Sequence, residues 1–420
     1  MLPRAQAWQR LFGERFSTAR LVVRHVATIH SLGSDQGNQV VTSSCLVSPG
    51  DSLDVVNQKN LQLRGRLASM PWPRLRSVRV EGKDYTLPWK FRNEFVYTDG
   101  QSLTSQDQTT EYLAGFFDGD GCVRCSSSLS SVDLSVAQAV DGAEILPQFG
   151  STFGGSMRHH LDGRGLVRPS VAWTIRGTGA RDAASRLAER SITKRRQLEI
   201  VANWPESSAC RESCARELKI LKRCDSGVAG CVSWKYFTGF FDAEGYISSP
   251  GGACFQLRIG QKYSTVLECL QTFLQREIGS QGNIFNYSGS RYELVMCNTS
   301  TCKRILEKML LAGMAGKSAQ AELALSLDRQ NSAQVRSAMG KMVGNQMFGK
   351  NLDNDGLERA RTIVAARQRA KRLRQQGLLQ EADALFAEVE VLKSEHRLLK
   401  AQHENRQLHE HMHKLESMTS

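Results

Sequence analysis

The sequence predicts an α+β fold of two pseudo-symmetric half-domains, each in the order αββαββα, with antiparallel sheets and a C-terminal helical tail. Three observations predict it. The segment Tyr112 to Gly121 (YLAGFFDGDG) recurs as Tyr236 to Gly245 (YFTGFFDAEG), with Gly115 and Gly239 124 positions apart (239 − 115). Leu134–Gln138 parallels Leu257–Gln261, and Lys194–Gln197 parallels Lys317–Gln320, each at an offset of 123. The Gln-to-Lys distance is 56 in both copies (194 − 138 and 317 − 261). Landmarks held in one order and nearly one spacing mark an internal duplication.

Each copy reads alike. A helix ends at the acidic motif. Two strands follow, near 121–127 and 131–139 in the first copy and 245–249 and 253–261 in the second. The later strand of each pair alternates apolar and polar residues. Helices follow near 142–153 and 263–278, with Gly154-Gly155 and Gly279 as stop signals. Strands come next at 156–160 with 170–176, and at 283–287 with 292–298. Short helices close each half, with Lys194 and Lys317 near their starts.

The half-domains so defined span 109–204 and 232–327. Between them, 205–231 is a linker rich in Cys, Ser, Arg and Lys, in part helical. Residues 34–108 show strand-like alternation from Ser77 to Thr98 and no legible chemistry. Residues 328–420 form a basic helical extension, with a helical pattern from Leu357 to Leu415 that weakens at Gly377. Leu378, Leu385, Leu392 and Leu399 recur every seven residues, but Ala382, Val389, His396 and His403 between them are weak for a zipper. A solvated helix, docked on the body or partly ordered, is therefore expected before a coiled coil. Seven basic residues and no acid from Arg359 to Arg374 suit phosphate contacts.

A formal net charge of +13 favours a polyanionic partner, nucleic acid before membrane. No stretch approaches the roughly 20 apolar residues of a membrane span. The eleven cysteines are scattered, which suits free thiols. Cys210, Cys214, Cys224 and Cys231 fit no common zinc spacing. The first 33 residues carry five arginines and one acid, Glu14. They read as an organellar presequence, for mitochondrion or chloroplast, or as a disordered basic arm with the nucleus as the alternative compartment.

On the motif helices, Gly115 and Gly119 share one face, as do Gly239 and Ala243. Small faces let two helices pair closely and set Asp120 beside Glu244. Tyr112, Leu113 and Phe116, with Tyr236, Phe237 and Phe240, are expected to seat each helix in its own half. Two carboxylates at adjacent helix C-termini repel each other and the helix dipoles. A hard divalent cation, Mg2+ or Mn2+, would neutralise them and support phosphodiester displacement.

Both copies resemble the LAGLIDADG homing-endonuclease family, over residues 109–327. Leu113 to Gly121 matches the nine-residue motif closely. Phe237 to Gly245 keeps the Gly, both acids and the last Gly, with Glu244 in place of the terminal Asp. The resemblance implies that Asp120 and Glu244 bind catalytic metals, Gln138 and Gln261 orient water, and Lys194 and Lys317 stabilise developing charge. It leaves Asp118 and Asp242 a structural part. It also implies sheets forming a saddle over duplex DNA. Steps of two from Asp120 and Glu244 then nominate Arg124, Ser126, Tyr246 and Ser248 as DNA contacts, and Ser135 and Arg258, three residues before the glutamines, join them with Arg158, His160 and Tyr287 of the third strands. The expected activity is site-specific double-strand DNA cleavage by a monomer whose internal pseudo-symmetry replaces a dimer. The alternatives are a maturase-like factor that binds intron RNA without cutting and a regulator that keeps the saddle and has lost cleavage.

Overall fold

The computed structural model describes residues 45–48, 50–91, 103–251, 253–287, 289, 291–342 and 352–419. The basic segment 1–33 lies outside the described residues. Helix α1 (Leu53–Ser69), the hairpin β1 (Ser77–Val80) and β2 (Lys83–Thr86), and the short β3 (Trp89–Phe91) precede the first repeat. That repeat runs α2 (Leu103–Asp120), β4 (Gly121–Cys125), β5 (Val132–Ala139), α3 (Leu146–Phe153), β6 (Gly155–Leu161), β7 (Ser170–Arg176), α4 (Gly177–Ala188) and α5 (Arg195–Ala202). A linker helix α6 (Ser208–Leu221) follows. The second repeat runs α7 (Trp234–Glu244), β8 (Gly245–Gly251), β9 (Cys254–Gln261), α8 (Thr265–Ile278), β10 (Asn283–Tyr287), β11 (Arg291–Met296), α9 (Thr299–Leu311) and α10 (Ser318–Leu325). The fold is α+β, and each repeat keeps the order αββαββ and closes with two helices.

Among the described residues, every strand pairing is antiparallel. The second half has the sheet order β10-β11-β9-β8, and the first has β3-β6-β7-β5-β4. The fifth strand of the first sheet comes from the stretch in which the sequence showed no role. Trp89 pairs with Met157 and Phe91 with Gly155. Gly150 is what admits it: a Cβ there would lie 2.3 Å from the Phe91 ring.

Apolar alternation sets which sheet face meets the helices. Val123, Leu134, Val136 and Trp173 in the first half, and Leu257, Ile259, Leu294 and Met296 in the second, are buried in one continuous core. The Trp173 ring lies 4.9 Å from Phe149, and its indole N–H donates to the Gly154 carbonyl at 2.8 Å. Gly154, at φ +78, ends α3, and Gly279, at φ +74, ends α8, as their stop signals require.

Helices α11 (Ser332–Lys341), α12 (Asn354–Gln375) and α13 (Leu379–Thr419) complete the chain. Gly377, at φ +81, turns α12 into α13. The heptad leucines are not the buried seam. Leu378 is exposed, whereas Ala382, Val389 and His396 are buried. Further along, Leu408, Met412 and Leu415 form a small second core with Leu63 and Leu67 of α1 and with Cys45. Polar bonds fix the docking. Asn60 Nδ2 donates to the Ala401 carbonyl at 2.9 Å, Asn405 Nδ2 donates to Asn60 Oδ1 at 2.8 Å, and Arg64 pairs with Glu404 at 2.7 Å. The Gly165 carbonyl of the first half accepts from Trp72 Nε1 and meets His411 Nε2. The helical extension is thus held to the body through α1. Leu408→Ala should cost this docking about 3 kcal/mol. Hydrogen exchange should then rise in 53–69 and 401–415 while the two sheets keep their protection.

Candidate active site

Helices α2 and α7 meet backbone to backbone. A Cβ on Gly115 would lie 2.1 Å from the Tyr236 carbonyl oxygen, and one on Gly239 would lie 2.0 Å from that of Tyr112. A Cβ on Gly119 would lie 2.4 Å from Ala243 Cβ and 3.0 Å from Glu244 Cγ. Glu244 therefore lies against the residue just before Asp120, and the terminal acids of both halves sit at the same end of the helix pair. Gly121 and Gly245 are required there for space. A Cβ on either would strike the ring of Phe117 or Phe241 in its own helix, at 2.4 and 2.3 Å. Gly245 has φ −76, so the turn into the strand needs no left-handed backbone.

The polar residues gather at the same place. Gln138 is buried, and its Nε2 donates to Asp120 Oδ2 at 2.9 Å. Gln261 holds the matching strand position opposite Tyr292, as Gln138 does opposite Val171. Among the described residues, a Gln-to-acid bond forms in the first half only. Lys194 and Lys317 are the N-cap residues of α5 and α10. Lys194 Nζ donates to the carbonyls of Phe117, Asp118 and Gly119 at 2.8, 2.6 and 3.0 Å. Lys317 Nζ donates to the carbonyls of Phe241 and Asp242. Each ammonium therefore caps the negative end of a motif helix. Lys194 commits all three of its N–H donors to these carbonyls. It acts on the site as a fixed charge. Burial pushes its ammonium down, while the charges of Asp118 and Glu244 pull it up.

Asp118 and Asp242 hold the halves together. Asp118 accepts from Ser191 Oγ, from the backbone N–H groups of Ile192, Thr193 and Lys194, and from Tyr236 Oη at 2.6 Å. Asp242 accepts from Ala315 N, Gly316 N and, at 2.6 Å, Tyr112 Oη. Tyr112 and Tyr236 thus reach across the interface, which corrects the expectation that they seat each helix only in its own half. Each motif helix positions the lysine-bearing loop of its own half and is bonded by a tyrosine of the other.

The two aspartates differ in one respect. Asp242 Oδ1 is buried with no partner among the described residues. Burial raises the Asp242 carboxyl above the ordinary carboxylate range, against the opposing pull of Lys317. The stability this group contributes is present at low pH and is lost as pH rises through the raised value. Asp242→Asn should remove that loss and cost only about 1 kcal/mol. Asp118→Asn turns an amide toward several donors and should cost on the order of 3 kcal/mol. Urea unfolding of both variants from acid to neutral pH checks the pair.

The open sheet faces flank the acids. On the first, Arg124 donates to Ser135 Oγ at 2.8 Å and Arg158 to Ser156 Oγ at 2.9 Å. Ser135 is buried, so it supports Arg124 and is not itself presented on the face. His160 and Arg158 are exposed, and Ser126 belongs to a serine cluster past the end of β4. Burial and the nearby charges of Arg124 and His159 push the His160 imidazole down. On the second face, Ser248 pairs with Gln256, and Tyr246 with Arg258. Tyr246, Arg258 and Tyr287 all bond one buried acid, Glu293. Sequence reasoning missed Glu293, Arg291, Gln256 and Phe285. The signal for Glu293 was a lone acid inside the apolar strand RYELVM.

Among the described residues, no group of three or more His, Cys, Asp and Glu gathers as a metal cage. A pair of carboxylates still suits a cation that keeps waters and phosphate oxygens as its other ligands.

No family model matches the sequence, and no curated protein matches it. Similar solved structures include the LAGLIDADG meganuclease I-AabMI bound to uncleaved DNA, at 16% identity and a TM-score of 0.41. I-SmaMI bound to an uncleaved DNA target in the presence of calcium ions is 16% identical, with a TM-score of 0.42. The LAGLIDADG meganuclease I-CpaMI bound to uncleaved DNA is 12% identical, with a TM-score of 0.40. Each match covers 56% of this chain and 98% of the other.

Proposed function

We propose that this chain is a site-specific double-strand DNA endonuclease acting as a monomer. One observation carries the reading: where α2 and α7 touch, Glu244 of one repeat packs against Gly119 of the other, the residue just before Asp120. A single helix ending in an acid is commonplace. Two that converge, each capped by a lysine from its own closing loop, make a composite site between two open sheets.

Asp120 and Glu244 would hold Mg2+ or Mn2+, which supplies charge neutralisation and an activated water. The chain's own residues do the rest. Gln138 fixes the orientation of the Asp120 carboxylate. The Lys194 ammonium, buried beside the site, offsets negative charge that develops on the scissile phosphate. In the hydrolysis, a water oxygen bonds to phosphorus, the bond from phosphorus to one ester oxygen breaks, and that oxygen takes up a proton. Arg124, Arg158 and His160 on one face, and Tyr246, Arg258 and Tyr287 on the other, face the duplex. Ser126 and Ser248 lie at the margins.

The test is incubation with a randomised duplex library and Mg2+, followed by sequencing of the ends produced. Enrichment of one site, cut on both strands, is the expected result. No cut duplex, together with crosslinking to intron RNA, would establish the splicing alternative instead. Residues 1–33 are proposed to direct the chain to an organelle. Fused to a fluorescent reporter, they should carry it to mitochondria or chloroplasts, and a nuclear signal would refute this.

A further inference from the structure

The two open faces differ in chemistry, and the difference centres on Glu293. β11 places Glu293 opposite Gly260 in register, while the first sheet has Ala172 opposite Ala137 at the matching position. Glu293 is 3% exposed although it lies on the open face, because other side chains cover it. Its Oε1 accepts from Tyr246 Oη at 2.7 Å, and its Oε2 accepts from Arg258 Nη1 at 2.9 Å and from Tyr287 Oη at 3.2 Å. Arg291 lies 3.8 Å from Oε1. Its guanidinium spreads over Gly260, where a Cβ would come within 2.7 Å of Nη2. Gln256 Oε1 accepts from Arg258 Nε at 3.1 Å and from Nη2 at 2.9 Å.

A buried carboxylate under a surface meant for DNA is costly unless cations neutralise it. Arg258 and Arg291 do so and leave the group net positive. The arrangement also removes freedom from Arg258. A guanidinium has five N–H donors; Gln256 and Glu293 take three, and the Tyr246 hydroxyl also interacts with the group. The two donors that Gln256 and Glu293 leave lie on Nη1 and Nη2, the atoms with which arginine reads guanine O6 and N7. A long flexible side chain loses rotamer entropy on binding, and a side chain already held loses less.

We propose that Glu293 is a positioning residue for sequence recognition: with Gln256 it locks Arg258 as a preset fork for one guanine in the half-site under the second sheet. This rests on the duplex-DNA reading above and adds a base identity and a residue that acts through another. The first sheet has Ala172 where the second has Glu293. There, Arg124 donates to Ser135 Oγ and lies 3.6 Å from the half-buried Asp133 carboxylate, and Arg158 donates to Ser156 Oγ, so neither is clamped by a buried acid among the described residues. Those two arginines retain more freedom and suit contacts to phosphates.

The test is selection of bound duplexes from a randomised library, in calcium so that binding is read without cutting. Wild type, Glu293→Gln, Arg258→Lys and Gln256→Leu are compared, each with a melting curve. Wild type should show guanine at one position of one half-site. Arg258→Lys keeps the charge and loses the fork, and should weaken that preference about tenfold. Glu293→Gln and Gln256→Leu should relax the same position and leave the rest of the site unchanged. A preference that stays sharp in Glu293→Gln, or in Arg258→Lys, overturns the proposal. So does a loss spread evenly over all positions in a variant that melts like wild type. If Glu293→Gln fails to fold, Arg258→Lys and Gln256→Leu decide the matter by whether they relax one shared position. No enrichment by wild type refutes the duplex-DNA reading itself. An enriched site that the variants leave unaltered refutes only the clamp.

Discussion

Asp120→Asn and Glu244→Gln should each lower the rate of magnesium-dependent DNA cutting by at least about a thousandfold. DNA affinity should be unchanged or slightly greater. The physical reason is where the two acids sit. Both terminate helices, so each lies at a negative helix end, and Glu244 Cγ comes within 3.0 Å of where a Gly119 Cβ would be. Without a cation the pair repels itself, the helix ends and the DNA phosphates. Neutralising either acid removes that repulsion, so folding stability should rise by about 0.3–1 kcal/mol while chemistry is lost. A structural acid would show the opposite: stability falls and cutting declines only with the folded fraction. Plasmid cleavage, filter binding and thermal melting on the same preparations separate the two. Either variant cutting at the wild-type rate refutes the assignment. Chelation of the metal should reproduce the loss in the wild type, with bound DNA retained.

The parts of this site that the sequence disclosed are those the duplication doubled. Asp120 and Glu244, Gln138 and Gln261, and Lys194 and Lys317 stand at matched distances: the acids end helices, the glutamines lie near strand ends, and the lysines precede helices. Elements whose signal is local also came through: Gly154 and Gly279 stop helices, and Gly377 turns α12 into α13. What stayed hidden depends on partners distant in the chain. Trp89–Phe91 joins the first sheet through residues 155–157, and no local pattern specifies that pairing. The Tyr112 hydroxyl bonds Asp242 in the other repeat, so period alone assigned it to its own half. The lysines read as reaction groups by resemblance, while their bonds to helix-end carbonyls depend on how α5 and α10 pack. Ala382, Val389 and His396 looked too weak to pack, yet they are buried where the seven-residue leucines are not. A small residue can be buried because a neighbour comes close, and the identity of that neighbour is a tertiary fact.

Gly239→Ala should be among the most damaging single substitutions in the body, with Gly115→Ala nearly its equal. The new methyl would stand 2.0 Å from the Tyr112 carbonyl oxygen in the first case and 2.1 Å from that of Tyr236 in the second. Backbone cannot swing aside as a side-chain tip can, so the helices must part. Overpacking of this kind costs about 3 kcal/mol or more. Alanine's better helix propensity returns about 1 kcal/mol, leaving a net loss near 2 kcal/mol in chemical denaturation. Activity should fall further than stability, by about a hundredfold in the folded protein, because parting the helices separates Asp120 from Glu244 by a fraction of an ångström to an ångström. Gly119→Ala tests the same contact in a reversible way. Its methyl meets Ala243 Cβ at 2.4 Å, a side chain that can be removed. The double variant Gly119→Ala/Ala243→Gly exchanges the small residues across the interface and should restore most of the lost cutting. Failure of that exchange, with the protein folded, would mean that helix spacing does not govern the site. Recovery would show that the distance between two helix ends sets the rate, independent of which half supplies the glycine.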